Sequence, residues 1–221
     1  MAKNTYQSYT EKTPIYAFRA DFVWRGAMCI ALGTRHPALV GIGNEANAIV
    51  AQIDARLAAL QAAEDDQLRA RAIENAEKLD VVDVYTELRR TMSAKNYDVA
   101  KILPDAPSIL KRMRADSFAA RADIAVANLE ALPENDPIRV AFLANLKKEL
   151  AEFHEADKAE DKTQAALRSG NVALTLCKSE LAQAREAQLG AILTELKDRE
   201  KSSAFTLPWR KYSRAADDGE E

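Results

Sequence analysis

From Asp136-Pro137 the chain runs on to Pro208 without another proline. A helix accepts proline in its first turn and is kinked or broken by it further in, so this span is free to form one very long helix. Asp136 is placed to cap it and Pro137 to open it. Apolar residues recur at spacings of three and four at Leu143, Leu146, Leu150 and Phe153. The same register returns at Leu167, Gly170, Leu174, Cys177, Leu181, Ala184 and Gln188. This is a heptad seam, the pattern by which one helix packs along another. The seam keeps its phase across Ser169-Gly170-Asn171, which a chain reversal would not require. We therefore expect a continuous helix, roughly 95 Å long at 1.5 Å per residue, with Gly170 admitting a neighbour at close range. A helix that long does not persist alone, so other elements must cover its seam.

The rest of the chain has the same character. Thr13-Pro14 is a second helix start of this type. The segment Ile15 to Leu32 is apolar on most faces, with Ile15, Phe18, Phe22, Val23, Trp24, Met28, Cys29, Ile30 and Leu32, relieved only by Arg19, Asp21 and Arg25. Such a helix is expected to be buried on several sides. Gly33 to Gly43 reads as a glycine-rich connector. A long helix is then expected from near Asn44 to about Asn96, with one stripe at Ile49, Ile53, Leu57 and Leu60. A second stripe follows at Leu68, Ala72, Ala76, Leu79, Val82 and Tyr85. Leu103-Pro104-Asp105-Ala106-Pro107 is the next interruption, and a further helix is expected over about 107–131 before Leu132-Pro133-Glu134-Asn135 ends it.

Alanine supplies roughly a fifth of the residues, far above ordinary usage, and it is the best helix former. Glycine and proline number seven each. The fold class is all-α, an elongated bundle of two short and two long helices. The expected organisation is an extended arm over 1–12, one bundle domain over 13–201, and a tail over 202–221 that turns from aromatic and basic to acidic. A faint internal echo, such as Phe18-Arg19-Ala20-Asp21 against Met113-Arg114-Ala115-Asp116, suggests two helical hairpins over 13–102 and 103–201.

Charge and composition narrow the function. A net charge of −3 argues against a polyanion binder, so nucleic acid is not an expected partner. The N-terminus has no apolar core of a signal peptide. No stretch is long enough to cross a bilayer, and Cys29 and Cys177 fall on apolar stripes as buried free thiols. These features suggest a cytoplasmic protein. Two charged waists interrupt the long helices, at Glu64-Asp65-Asp66-Gln67 and at His154 to Lys162. Glu152, Glu155, Glu160, Glu64 and Asp65 would form a carboxylate cluster if the waists met, but Lys158, Lys162 and Arg69 are placed to neutralise them.

No constellation reaches a catalytic signature. His36 and His154 are the only histidines. Ala151 stands three residues before His154, where a di-iron bundle needs glutamate, and no His or Cys pair has zinc-ligand spacing. Gly41-Ile42-Gly43-Asn44-Glu45-Ala46 matches a dinucleotide fingerprint in letters only, since no strand precedes it; it reads as a connector capped by Asn44. No cofactor or metal is expected, and the protein is read as non-enzymatic. The expected role is a structural, self-assembling helical protein, a homo-oligomer joined by apolar helix faces and aromatic tails. Phe18, Phe22, Trp24, Phe205, Trp209, Arg210 and Tyr212 are the interface candidates, because aromatics and arginine dominate interface hot spots. The alternative is an adaptor that binds a protein or nucleic-acid partner through its C-terminal tail.

Overall fold

A computed structural model describes residues 9–207. The described residues are helical, without strands, and form an all-α bundle. The elements are α1 (Ile15–Leu32), α2 (Ala38–Ala94), α3 (Val99–Ile102), α4 (Pro107–Leu110), α5 (Ala115–Glu130), α6 (Pro137–Leu196) and α7 (Arg199–Ser203). Helix α1 has the extent that its apolar run predicts, and α6 passes through Ser169-Gly170-Asn171 unbroken. A Cβ built on Gly170 would meet Leu60 at 3.4 Å, an ordinary contact, so this glycine is not required by crowding.

The helix ends show why the chain starts and stops where it does. Asp136 caps α6, its Oδ1 accepting from the N–H groups of Ile138 at 2.8 Å and Arg139 at 3.3 Å, which satisfies donors that a helix leaves free at its start. At the far end of α2, Asn96 takes a left-handed φ of 60° and the Tyr97 N–H reaches back to the Met92 carbonyl at 3.0 Å. That is a Schellman closure with asparagine in the place glycine usually fills. Thr13 does not cap α1. Its hydroxyl accepts from the Thr10 N–H at 2.9 Å and thereby tightens the turn before the helix.

Three sequence expectations are corrected. The connector after α1 is only Gly33 to Pro37, and α2 starts at Ala38, so Gly41, Gly43 and Asn44 are helical. The cause is visible at Gly43: a Cβ there would lie 2.9 Å from Ile30 Cγ1 and 3.1 Å from the Gly26 carbonyl oxygen. The two glycines let α1 and α2 cross closely, and the contact outweighs the modest helix-propensity cost of glycine. The expected helix over 107–131 is divided into α4 and α5. In the gap the Met113 carbonyl accepts from Lys78 Nζ instead of from a following helical turn. The third correction concerns the second stripe of α2. Val82 and Tyr85 are buried, but Leu68 and Leu79 are 61% and 43% exposed.

The chain divides into two compact units, Met1–Gln61 with Ser169–Glu221 and Ala62–Arg168. Each unit therefore takes residues from both sequence halves. In the first unit α1 and the start of α2 pack with the end of α6. Its core holds Ile15, Phe18, Phe22, Ala46, Ile53, Cys177 and Leu181, with a second cluster of Cys29, Leu39, Ile192 and Phe205. In the second unit the end of α2 and the start of α6 enclose a core with α5. Tyr85, Leu88, Met92, Phe118, Leu129, Leu146 and Phe153 are its large members, and Phe118 meets Phe153 edge to face at 4.8 Å. Both halves of the α6 seam are thus covered as their spacing requires.

Candidate functional site

Helix α1 is inverted relative to an ordinary surface helix. Its apolar face is open on one side: Tyr16 is 65% exposed, Val23 42%, Trp24 38% and Ile30 46%. Its three charged residues all have partners inside the unit. Arg19 makes a two-pronged contact with Asp54, Nε to Oδ1 at 2.6 Å and Nη2 to Oδ2 at 2.9 Å. Asp21 and Arg25 are fully buried. The helix that sequence periodicity expects to be covered on several sides is covered on one, and Arg19, paired with Asp54 and with 42% of its side chain exposed, borders the open side.

Beneath α1 lies a dry ionic cluster. Asp21 Oδ2 accepts from Arg25 Nη2, one turn along α1, and from Arg185 Nε of α6 at 3.1 Å. Asp21 Oδ1 accepts the Leu207 backbone N–H at 3.1 Å. Gln188 Oε1 accepts from Arg25 Nη1 at 3.3 Å. Arg185 stands 4.3 Å over the Tyr9 ring, which meets Phe18 edge to face at 5.0 Å. One carboxylate thus joins α1, α6 and the segment after α7, and Arg185 carries the cluster on to Tyr9. Burial pulls the Arg25 guanidinium below its ordinary value; Asp21 opposes this and Arg185 adds to it. The same burial pushes the Cys29 thiol up to about 11, with Arg25 acting against it, and Cys29 packs with Leu39, Ile192 and Phe205.

The sequence candidates fall into three groups. Phe18, Phe22 and Phe205 are enclosed in this chain's own first unit. Trp24 is on the open face, its indole N–H donating to the Ala204 carbonyl at 2.9 Å. Trp209, Arg210 and Tyr212 lie outside the described residues. Sequence reading missed Asp21, Arg25, Arg185 and Gln188 as a set, although Gln188 was placed on the seam.

The charged waists do meet in the second unit, where Gln67 Nε2 donates to Glu160 Oε1 at 3.0 Å. Arg69 pairs with Asp66 at 2.9 Å. Burial, then Asp157 and Glu160, hold the Glu74 carboxyl above its usual range. Burial, then Asp161 and Asp116, do the same for Asp157. Among the described residues Glu77, Asp80 and Glu149 also bring carboxylate oxygens together, with Lys148 Nζ at 3.1 Å from Glu149. His154 stands 3.5 Å from Asp123 and His36 3.5 Å from Glu195.

No helix among the described residues is long and apolar enough to cross a membrane. Comparison with protein-family models, curated proteins and solved structures finds no match to this chain.

Proposed function

We propose that the protein is a non-enzymatic structural element that assembles with itself through an apolar helix face. The observation that carries this reading is the inversion of α1. Burying two arginines and an aspartate removes them from water, at a penalty of several kcal/mol per ion before their attraction is counted. Leaving Tyr16, Val23 and Ile30 partly in water, at 65%, 42% and 46% exposure, forgoes roughly 0.6–2 kcal/mol for each, that fraction of what full burial contributes. A chain that does both has turned its adhesive side outward. Leu68 and Leu79 on α2, exposed in the second unit and eleven residues apart, stand on one face of that helix, and Ile73 is exposed on another.

The test is the mass of the full chain in solution across a wide concentration range, by sedimentation equilibrium. Self-assembly gives a mass that climbs above 24.4 kDa with concentration; a mass fixed at 24.4 kDa to millimolar concentration refutes it.

A second reading, an adaptor working through the tail, has one observation in its favour. Phe205 is buried and the Leu207 N–H is held by Asp21, so Trp209, Arg210, Lys211 and Tyr212 follow directly from a fixed point. Loss of partner binding on changing these residues, with oligomeric state unchanged, would favour the adaptor.

A further inference from the structure

The last described residues walk back along α1. The Ala204 carbonyl accepts from Trp24 Nε1 at 2.9 Å, and three residues later the Leu207 N–H donates to Asp21 Oδ1 at 3.1 Å. The chain thus moves toward the start of α1 as its own number rises. Leu207 is outside any helix, and Pro208 after it disfavours helical backbone there.

A groove opens ahead on that line. The end of α6 runs parallel to α1: Ile192 clusters with Cys29, Gln188 meets Arg25, Arg185 meets Asp21 and Leu181 clusters with Phe18. Toward the start of α1, residues 9–12 stand beside α6 with a groove of about 790 Å³ between them. Its α6 wall is Ser179, Ala182, Gln183 and Glu186, spaced three and four apart on one helix face and about 10 Å from end to end. The near end is tied to the exit point, since Arg185 Nε donates to Asp21 at 3.1 Å and the Arg185 guanidinium stands 4.3 Å over Tyr9, which lines the groove.

Reach, size and charge select one occupant. Leu207 is level with Arg185 through their shared Asp21. An extended chain advances about 3.3 Å per residue, so two residues cover roughly 7 Å and bring Trp209 between Ala182 and Ser179. The volume is in the range that encloses a drug-sized ligand, ample for an indole ring. Glu11 and Glu186 border the groove with one cation, Lys12, whereas Trp209 is followed by Arg210, Lys211 and Arg214. A segment tethered at the groove's edge also has an effective concentration on the order of millimolar, which a free partner or a second copy must exceed.

We infer that the segment Trp209 to Tyr212 docks in this groove of its own chain, with the Trp209 indole against Ala182. It then straps residues 9–12 to α6 beside the ion cluster. Both sides of the contact belong to one chain, so the inference stands apart from self-assembly. It also sets a condition on the adaptor reading: the aromatic tail reaches a partner only after leaving the groove.

The test follows the Trp209 indole N–H by NMR in full-length, isotope-labelled protein, assigned by its loss in Trp209→Ala. Docking gives it a heteronuclear NOE as high as that of the α6 amides at every protein concentration. Trp209→Ala is expected to shift the amide signals of Ser179, Ala182 and Gln183. Gln183→Arg, at an exposed position on the groove wall, sets a cation against Arg210 and Lys211 and is expected to abolish the high NOE with helix content unchanged. A wild-type NOE near zero, with no shift at those amides in Trp209→Ala, overturns the proposal. A high NOE that survives Gln183→Arg, again with no shift at those amides, places the segment elsewhere and overturns it too. If the amides move in Tyr6→Ala and not in Trp209→Ala, the N-terminal residues fill the groove and the assignment is refuted. A high NOE that is lost on dilution means docking between copies, which refutes docking within the chain while leaving self-assembly supported.

Discussion

Asp21 is the residue on which the first unit depends most, and its removal gives a quantitative test. In Asp21→Ala two guanidinium groups, both nearly fully buried, lose their shared carboxylate, and the Leu207 N–H loses its acceptor. Breaking a buried ion pair from one side costs about 3–5 kcal/mol, because an uncompensated charge stays behind. Arg185 keeps a second partner, its Nη1 donating to Glu186 Oε1 at 3.0 Å, so Arg25 bears most of this cost; with the Leu207 acceptor also lost, the upper part of that range applies. For a chain of this size each kcal/mol moves the melting temperature by about 2–4 °C. A loss of 4–5 kcal/mol therefore lowers it by roughly 10–20 °C, read by circular dichroism and by Trp24 fluorescence. Asp54→Ala is the control, since its partner Arg19 is well exposed; exposed pairs contribute about 0–1 kcal/mol. A rescue follows from the same reasoning. Asp21→Leu combined with Arg25→Met and Arg185→Met removes all three charges, and such replacements are often neutral or stabilising by about 1–4 kcal/mol. A loss in Asp21→Ala no larger than in Asp54→Ala would show that water reaches the cluster, and the account of a dry ionic core would fail.

Other outcomes follow from single sites. Gly43→Ala should destabilise by about 1–3 kcal/mol through overpacking against Ile30 and Gly26, whereas Gly190→Ala, with nothing within 4 Å of the added Cβ, should stabilise by roughly 0.5–1 kcal/mol; equal effects in urea titrations would refute the close crossing. Glu74 and Asp157 have carboxyls raised above their ordinary values in the folded state. At these two groups the folded state therefore binds more protons than the unfolded chain, and acidification from neutral pH toward the ordinary carboxylate range removes their destabilising contribution. Glu74→Gln should thus be more stable than wild type at pH 7, with the advantage vanishing near pH 4; a difference that does not change with pH would contradict this. Below that range the sign reverses. Burial raises the Asp136 carboxyl, but the N–H groups of Ile138 and Arg139 and the Tyr97 hydroxyl outweigh it and hold it low, so its contribution is lost as pH falls through that depressed value. Cys29, with its thiol pushed up to about 11, should be alkylated at pH 8 only after denaturation, as followed by intact mass.

The fold was legible in the chain because its largest elements obey local rules. Asp136-Pro137 starts a helix by capping chemistry, and the seam from Leu143 to Gln188 keeps one phase, so α6 could be read through Gly170 without tertiary information. The connector after α1 was misread for the converse reason. Gly41 and Gly43 are poor helix residues by propensity, and only the contact of Gly43 with Gly26 and Ile30 makes one of them useful inside α2. The candidate site was hidden by the assumption that charge marks the outside of a helix. Arg19, Asp21 and Arg25 were read only as charges that relieve a helix apolar on most faces, with Val23 and Ile30 in its apolar run. The structure puts Asp21 and Arg25 beneath the helix, which leaves the apolar seam facing out. A signal was present: Arg185 lies between Ala184 and Gln188 on a seam that is otherwise apolar, and a buried cation requires an anion from a facing helix. The nearly uncharged α1 could supply that anion only as Asp21. Once Asp21 turns inward, the helical period of 3.6 carries Val23 and Ala27 to the opposite side. The buried ion cluster and the exposed apolar residues are thus two consequences of one rotation of α1.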